Sequence, residues 1–178
     1  MKYLRIAIAT LVLLNAMNAS SQQNVTLSLE GEFLSGTCDV TVNGGTPDAL
    51  VILDKIGVNE VNSRKSVPAG KFRFTLSNCA SASNTQMRPY LEGGDNIDTT
   101  NYYLKNTKGT ATGVELKIVT AAGNQIKPGT ETQSGWVSFP TGEYETQYYT
   151  VSYETDSTIG PATAGTVQTA VVYHFEYK

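Results

Sequence analysis

The chain has 178 residues and a formal net charge of −3 at pH 7, and charged residues make up only 16% of it. Binding to nucleic-acid phosphates requires a basic surface, and the sequence offers no basic stripe, so we expect no nucleic-acid partner. Sixteen glycines and ten tyrosines against six prolines favour β-structure with many turns.

Residues 1–19 have the pattern of a secretory signal peptide. Lys2 and Arg5 are positive, residues 6–14 form a short apolar run, and small and polar residues follow. A membrane anchor is the alternative, but a span needs about 18 apolar residues or more, and no run in the chain approaches that length. We therefore expect export, with cleavage at about residues 19–21.

About 159 residues remain after that cleavage, enough for one domain with its own core. Cys38 and Cys79 both lie in the exported part, where an even number of cysteines favours a disulfide. A disulfide that closes a loop of about 42 residues contributes roughly 4 kcal/mol to the free energy of unfolding in the chain-entropy model. The sequence has no CxxC motif, and one histidine with two distant cysteines makes a poor zinc site, so we expect no metal or cofactor.

The first strand-like run of the exported part alternates Val25, Leu27 and Leu29 with polar residues. Farther along, residues 38–42 carry their apolar side chains on even positions instead of odd ones. A β-bulge is expected where this parity changes, around Gly36.

Short strand-like runs separated by turn signals continue along the chain. They comprise residues 49–54, 71–79, 85–93, 101–106, 113–120, 135–140, 144–155 and 166–177. Runs at this spacing without a long helical period predict an antiparallel sandwich or barrel, and we prefer an immunoglobulin-like sandwich. The sequence lacks the Cys–Trp–Cys order of antibody domains, because Trp136 follows both cysteines.

The last run, VVYHFEYK, alternates an apolar face with a polar one. Its apolar face consists of Val171, Tyr173, Phe175 and Tyr177. An open sandwich with a long apolar strand near each end of the chain invites edge-to-edge association. Two interpretations are open: either these edges are covered within the molecule, or association is their purpose.

Candidate catalytic and ligand-binding residues are few. His174, the single histidine, falls on the polar face of the last run, and the carboxylate pairs Glu30 with Glu32 and Asp95 with Asp98 are better interpreted as solvated charges. The loop at residues 93–98 has too few ligands for a calcium site. The aromatic residues could form a sugar-binding platform, although core and edge packing is the preferred interpretation; they are Trp136, Tyr144, Tyr148, Tyr149 and Tyr153.

Four segments together resemble the pilin subunits of chaperone–usher fimbriae, in particular the type 1 major-subunit family. NVTLSLEGEFLSGTC (24–38) resembles the arm and first strand of that family, and FTLSNC (74–79) resembles the strand that ends at its second cysteine. Residues 104–129 and 148–178 resemble its middle pattern and its last two strands, with Tyr177 at the penultimate position.

The resemblance implies an incomplete immunoglobulin-like β-sandwich that lacks its last strand and is completed by a donor strand from another subunit. It implies a donor-strand extension at residues 20–32 and a pilin domain at residues 33–178. Val25, Leu27 and Leu29 would be inserted. The acceptor strand, which also serves for chaperone recognition, would present Val171, Tyr173, Phe175 and Tyr177. The groove would lie between the first and the C-terminal strand.

In such a pilin the disulfide Cys38–Cys79 would join the first strand to the second and hold the wall of the groove. The implied partners are neighbouring pilin subunits, a periplasmic chaperone and an outer-membrane usher. We therefore predict a non-enzymatic structural subunit of an extracellular fimbria, exported through the periplasm, that supports cell adhesion. The alternative is a minor or tip adaptor that itself binds a glycan or a host protein.

Overall fold

The computed structural model describes residues 25–31, 38–80, 84–155 and 160–178. The predicted signal peptide, Glu32 and the bulge expected near Gly36 lie outside the described residues. Within these ranges the elements are β1 (Thr26–Gly31), β2 (Asp39–Val42), β3 (Ala49–Ile52), α1 (Val58–Arg64), β4 (Ser66–Phe72), β5 (Phe74–Ser77), β6 (Gln86–Leu91), β7 (Leu104–Lys105), β8 (Glu115–Val119), β9 (Val137–Ser138), β10 (Tyr144–Glu145), β11 (Tyr149–Glu154) and β12 (Gln168–Tyr177).

The described strands form two layers. One layer is a five-stranded sheet in the order β3-β1-β12-β6-β9. The other combines the sheets β10-β5-β2 and β4-β11-β8-β7, which are continuous with each other because only Arg73 separates β4 from β5. The all-β sandwich predicted from strand spacing and turn signals is therefore confirmed.

Aromatic rings join the two layers. Phe72 and Phe74 are fully buried, and they lie two positions apart on the inner face of consecutive strands. The ring of Phe74 packs against Tyr173 and Phe175 of the opposite sheet, with centroid distances of 4.6 and 5.4 Å. Phe72 stacks on Tyr149 at 5.2 Å. The alternating rings of β12 thus supply a large part of the core.

The chain departs from the sequence prediction in three places. Two segments predicted as single strands, residues 71–79 and 144–155, are each divided into two strands that lie in different sheets of the second layer. A strand that passes from one sheet to another loses its pairing at the bend. The helix α1 was not predicted. It has seven residues and buries only Val61, so its sequence shows no repeated apolar period.

The predicted disulfide between Cys38 and Cys79 is present, with the two Cα atoms 4.0 Å apart. It joins the start of β2 to the end of β5, which are antiparallel neighbours in the second layer. The strands that border β1 are β3 and β12, and neither carries a cysteine. That the disulfide holds the wall of a groove stays a prediction. Its effect is to fix the pairing of two core strands.

Replacing both cysteines, Cys38→Ser with Cys79→Ser, is expected to lower the free energy of unfolding by about 2 to 5 kcal/mol, because the unfolded chain regains the freedom of a closed loop. Urea titration of the purified protein measures the loss. Addition of a reducing agent should lower the unfolding midpoint of the unmodified protein towards that of the variant, and should leave the variant unchanged. Identical midpoints for the two oxidised proteins would contradict a stabilising disulfide.

Candidate functional site

The N-terminal strand β1 fills a slot between β3 and β12. It runs antiparallel to β3, from the pair Thr26–Ile52 to the pair Leu29–Ala49. It also runs parallel to β12, beginning at Thr26–Gln168. Both hydrogen-bonding edges of β1 are therefore occupied within a single chain.

The slot differs in two respects from the groove that the sequence suggested. Its walls are β3 and β12, whereas the resemblance placed the groove between the first strand and the C-terminal strand. The strand that fills it comes from the same chain, and its residues 25–31 all lie inside the segment predicted as a donor extension. The sequence missed β3 as a wall because pairing between distant strands leaves no local signal.

The inward side chains of β1 are among the most buried in the protein. Leu27 and Leu29 are 0% and 1% exposed, and Val25 is buried just ahead of the strand. Burial of such side chains contributes roughly 1.5 to 3 kcal/mol each. Ordering the backbone of a strand costs about 1 to 2 kcal/mol per residue, which offsets much of that gain. The net free energy that keeps the strand in the slot is therefore much smaller than the burial of its side chains alone would give.

The outward positions of the same sheet carry a different surface. Glu30 is exposed and Ser28 is half-buried on β1, while Leu50 and Ile52 of the neighbouring strand β3 are 57% and 75% exposed. The alternation of β1 therefore separates a face that packs in the core from a face that meets solvent.

A cluster of contacts closes the slot at the Gly31 end of β1, and we call it the clasp: Gly31, Pro47, Asp48 and Tyr173. The backbone N–H of Gly31 donates to Oδ1 of Asp48 at 3.0 Å, and the hydroxyl of Tyr173 donates to the carbonyl oxygen of Pro47 at 2.9 Å. Burial, together with the nearby Asp48 carboxylate, raises the pKa of Tyr173 to about 12. The hydroxyl is therefore a stable donor at any physiological pH.

Only glycine fits at position 31 of the clasp. A Cβ atom there would lie 2.7 Å from the hydroxyl oxygen of Tyr173 and 2.8 Å from the ring carbon that bears it. The sequence showed Gly31 only as one glycine among sixteen, because the ring that it faces is 142 positions away along the chain. A glycine inside an alternating run was the available signal.

At the other end of β1 an apolar cavity of about 310 Å³ lies beside Val25. The helix α1 contributes Val58 and Val61 to its lining, and the segment before β12 contributes Ala162 and Val167. Two backbone hydrogen bonds frame this end: the N–H of Thr26 donates to Val167 at 3.1 Å, and the N–H of Leu53 donates to Val25 at 3.2 Å. The Val25 end is accordingly less tightly packed than the clasp.

The strand β12 is the longer wall of the slot, and the residues predicted as an acceptor strand lie along it. Val171, Tyr173 and Phe175 are buried. Tyr177 is half-buried, and its ring lies 5.9 Å from that of Phe139. Only Val171 and Tyr173 are close to β1, since the pairing of β1 with β12 stops at Tyr173. Phe175 and Tyr177 pair instead with β6.

Contacts at the end of β12 hold this wall in place. The carbonyl oxygen of Lys178 accepts hydrogen bonds from the N–H groups of Thr85 and Gln86 at 2.7 and 2.9 Å. The Lys178 ammonium lies 4.2 Å from the centroid of the Trp136 ring. Next to it, the buried Arg88 binds the carboxylate of Glu176 at 2.5 Å. These contacts fix β12 against β6, so that it offers a rigid edge to β1.

The other candidate residues are engaged in structural contacts. His174 pairs through Nδ1 with Glu92 at 2.6 Å and stacks on Tyr90. Asp98 accepts a hydrogen bond from the N–H of Thr100 at 2.6 Å, and this bond holds the pKa of Asp98 below its usual value. Across the described ranges, no group of three or more His, Cys, Asp and Glu residues is placed to hold a metal ion.

The aromatic residues considered as a sugar platform do not share one surface. Tyr149 and Tyr153 are buried; the hydroxyl of Tyr149 lies 2.7 Å from that of Ser134, and the hydroxyl of Tyr153 donates to a backbone carbonyl. Tyr148 is exposed and lies under Arg73. Trp136, Tyr144 and the buried Tyr149 line an open cleft of about 350 Å³, which Tyr148 and Tyr153 do not reach. Core and edge packing therefore accounts for most of this set.

Comparison with known proteins gives a family match and a fold match. A family model described as "Fimbrial protein" matches residues 16–178. The structure resembles the P pilus rod subunit PapA, at 14% identity and a TM-score of 0.54, covering 79% of this chain and 99% of that one. It also resembles a subunit of a chaperone–usher pilus studied for rod uncoiling, at 14% identity and a TM-score of 0.58, covering 84% and 92%.

Among curated proteins, none matches this chain. Within the described residues, no helix has the length and apolar character that crossing a membrane requires.

Substitution of the fully buried Leu27 by alanine is expected to lower the free energy of unfolding by about 2 to 5 kcal/mol, because it leaves a cavity between the layers. The same substitution at the exposed Leu50, on the neighbouring strand, should change it by less than about 0.5 kcal/mol. Urea unfolding of the two purified variants measures the difference. Equal losses would contradict the inward position of Leu27.

Proposed function

Because the chain belongs to the fimbrial protein family, we propose that it is a structural subunit of a chaperone–usher fimbria and polymerises by donor-strand exchange. One observation carries the proposal. A short strand at the N-terminal side of the fold, β1, occupies a slot whose two walls, β3 and β12, both depend on it for hydrogen bonding. A strand of this kind is exchangeable between copies.

The slot can accept the same segment from another copy because side chains alternate with a period of two in either direction of a strand. Val25, Leu27 and Leu29 therefore point to the same face whether the strand runs parallel or antiparallel to β12. Main-chain hydrogen bonds supply affinity that does not depend on the side chains, and each contributes roughly 0.5 to 1.5 kcal/mol. The pockets for the apolar side chains supply the specificity.

The partners follow from the same physical requirement. A subunit whose slot is empty exposes two unpaired strand edges and an apolar floor, which aggregate readily. A periplasmic chaperone that lends a strand would protect the slot, and an outer-membrane usher would bring the next subunit to it. The product is an extracellular fimbria that supports cell adhesion. The similar rod subunit and chaperone–usher pilus structures support this assignment.

A structural role agrees with the state of the polar side chains. His174, the one histidine, is held between Glu92 and Tyr90 on the polar face of β12. We assign the protein no catalytic activity because the chain belongs to the fimbrial protein family.

Deletion of residues 20–29 tests the proposal. The truncated chain keeps the walls of the slot, so it should still be captured by the cognate chaperone, but it has no arm to donate. We expect no fibres in electron micrographs of cells that express only this chain. In cells that also express the unmodified chain, we expect shorter fibres, because a chain that accepts an arm but has none to donate can only be the first subunit of a fibre and so starts additional ones.

A point variant separates loss of the arm from loss of its apolar contacts. Leu27→Asp places a carboxylate at a fully buried position and should also prevent fibre formation. Thr107→Asp adds the same charge in an exposed turn and should leave fibres normal. Normal fibres from the truncated chain would refute donor-strand exchange through this segment.

A further inference from the structure

We propose that the open cleft beside Trp136 and Tyr144 binds one ring of a neutral sugar. The cleft has a volume of about 350 Å³ and is lined by residues of β9 and β10 and of the turn at residues 120–124. Pockets for small molecules have volumes of about 300 to 1,000 Å³, so this one suits a single sugar unit. Binding itself is independent of the proposed function, and only its consequence for adhesion rests on that function.

The cleft is uncharged. Of the described residues that line it, none is an aspartate, glutamate, lysine, arginine or histidine. A charged ligand would lose hydration there and gain no opposite charge in return, which is unfavourable. The lining therefore disfavours acidic sugars, phosphates and charged peptides, and it favours a neutral ligand.

The buried part of the lining is largely apolar. It includes Met87, Phe175 and the ring of Tyr149. The hydroxyl of Tyr149 lies 2.7 Å from that of Ser134, and burial raises the pKa of Tyr149 to about 12, so this hydroxyl keeps its proton at physiological pH. A surface of rings and methyl groups with one pair of hydroxyls matches the C–H face of a pyranose.

The exposed part of the lining carries amides that are available to a ligand. Asn124 and Gln147 are both exposed and both line the cleft. Among the described residues, neither side-chain amide has a hydrogen-bond partner. An amide donates and accepts, as a sugar hydroxyl does, so these two groups can pair with the hydroxyls at the edge of a sugar ring. A purely apolar ligand would leave both of them unused.

Tyr144 supplies an aromatic face for the sugar. It is half-buried, and within the described part of the chain no other ring and no cation lies over it. Trp136 differs, because the side chains of Arg88 and Lys178 lie 4.7 and 4.2 Å from its ring centroid and hold the ring in place. We therefore assign the contact with the C–H face of the sugar to Tyr144, with Trp136 as a fixed wall.

The lining is held in shape by hydrogen bonds of the protein itself. The side chain of Gln133 accepts a bond from the N–H of Leu91 at 3.0 Å and donates to the carbonyl oxygen of Thr130 at 2.9 Å. The turn at residues 120–124 is closed by the N–H of Thr120, which donates to the carbonyl oxygen of Asn124 at 2.9 Å. A site formed in advance loses less free energy to ordering when the ligand binds.

The cleft is separate from the slot that β1 fills. Phe175 is the one described residue of β12 that lines the cleft, and it lies beyond Tyr173, where the pairing of β12 with β1 ends. Under the proposed function, every subunit of a fimbria would therefore present one cleft. Many weak sites on one fibre raise the avidity without any new contact, so a single cleft is sufficient at millimolar affinity.

The single tryptophan of the chain makes binding directly measurable, because it is Trp136 in the wall of the cleft. The purified, exported monomer is titrated with the methyl glycosides of glucose, galactose, mannose and N-acetylglucosamine, and tryptophan fluorescence is recorded. We expect a saturable change with at least one of them, half complete at a concentration on the order of millimolar. The uronic acid of the same sugar should bind at least tenfold more weakly. No saturable change with any of the four glycosides would overturn the proposal.

Two variants place the binding in the cleft. Gln147→Ala and Asn124→Ala each remove an amide from the lining and should weaken binding of the glycoside at least fivefold. Asn59→Ala is the matched control, since it removes an exposed amide from α1, which does not line the cleft, and it should bind as the unmodified protein does. Circular dichroism checks that all three variants are folded. Equal affinities for all the proteins would place the binding elsewhere and overturn the proposal.

An aromatic side chain of a protein partner is the competing occupant. Its probe is N-acetylphenylalanine amide, which is neutral and carries one ring. A saturable response to this compound and to none of the glycosides would assign the cleft to a protein partner and overturn the sugar site.

Failure of this proposal and failure of donor-strand exchange are distinguishable, because glycoside binding is measured on the monomer. Glycoside binding together with normal fibres from the chain that lacks residues 20–29 would support the sugar site and refute exchange. No glycoside binding together with no fibres from that chain would refute the sugar site and support exchange.

Discussion

Hydrogen bonding of the strand β1 to both β3 and β12 is the constraint on which the rest of this structure depends. A strand edge buried beside an apolar floor must be paired, since unpaired N–H and C=O groups cost about as much as the hydrogen bonds they lose. Without β1, the floor that receives Leu27 and Leu29 would be open to water. Folding of this domain is therefore complete only when some strand occupies the slot.

The strand β12 links the slot to the core. Its inner face carries Tyr173 and Phe175, which pack on Phe74 of the opposite layer, and Tyr173 also closes the clasp on Gly31. A substitution in the slot that moves Tyr173 therefore alters side-chain packing at the centre of the sandwich. Under the proposed donor-strand exchange, the same buried surface would stabilise both the monomer and the contact between subunits.

Much of this arrangement could be predicted from local pattern. The alternation of Val25, Leu27 and Leu29 predicted a half-buried strand, and the structure contains one there. What failed was pairing: residues 71–79 gave one continuous alternating pattern, although Arg73 marks the passage from one sheet to the next. Alternation reports which face a residue occupies and carries no information on which strand lies beside it. The clasp could not be foreseen for the same reason.

The sequence by itself determined the strands, their buried faces, the pair of cysteines and, through resemblance, the family, because each of these is recorded in residue types a few positions apart. Only the tertiary structure decided that β3 and β12 flank β1, that β1 runs parallel to β12, and that Gly31 lies against Tyr173. These features depend on contacts between residues far apart in the chain, which are fixed when the layers pack and not before.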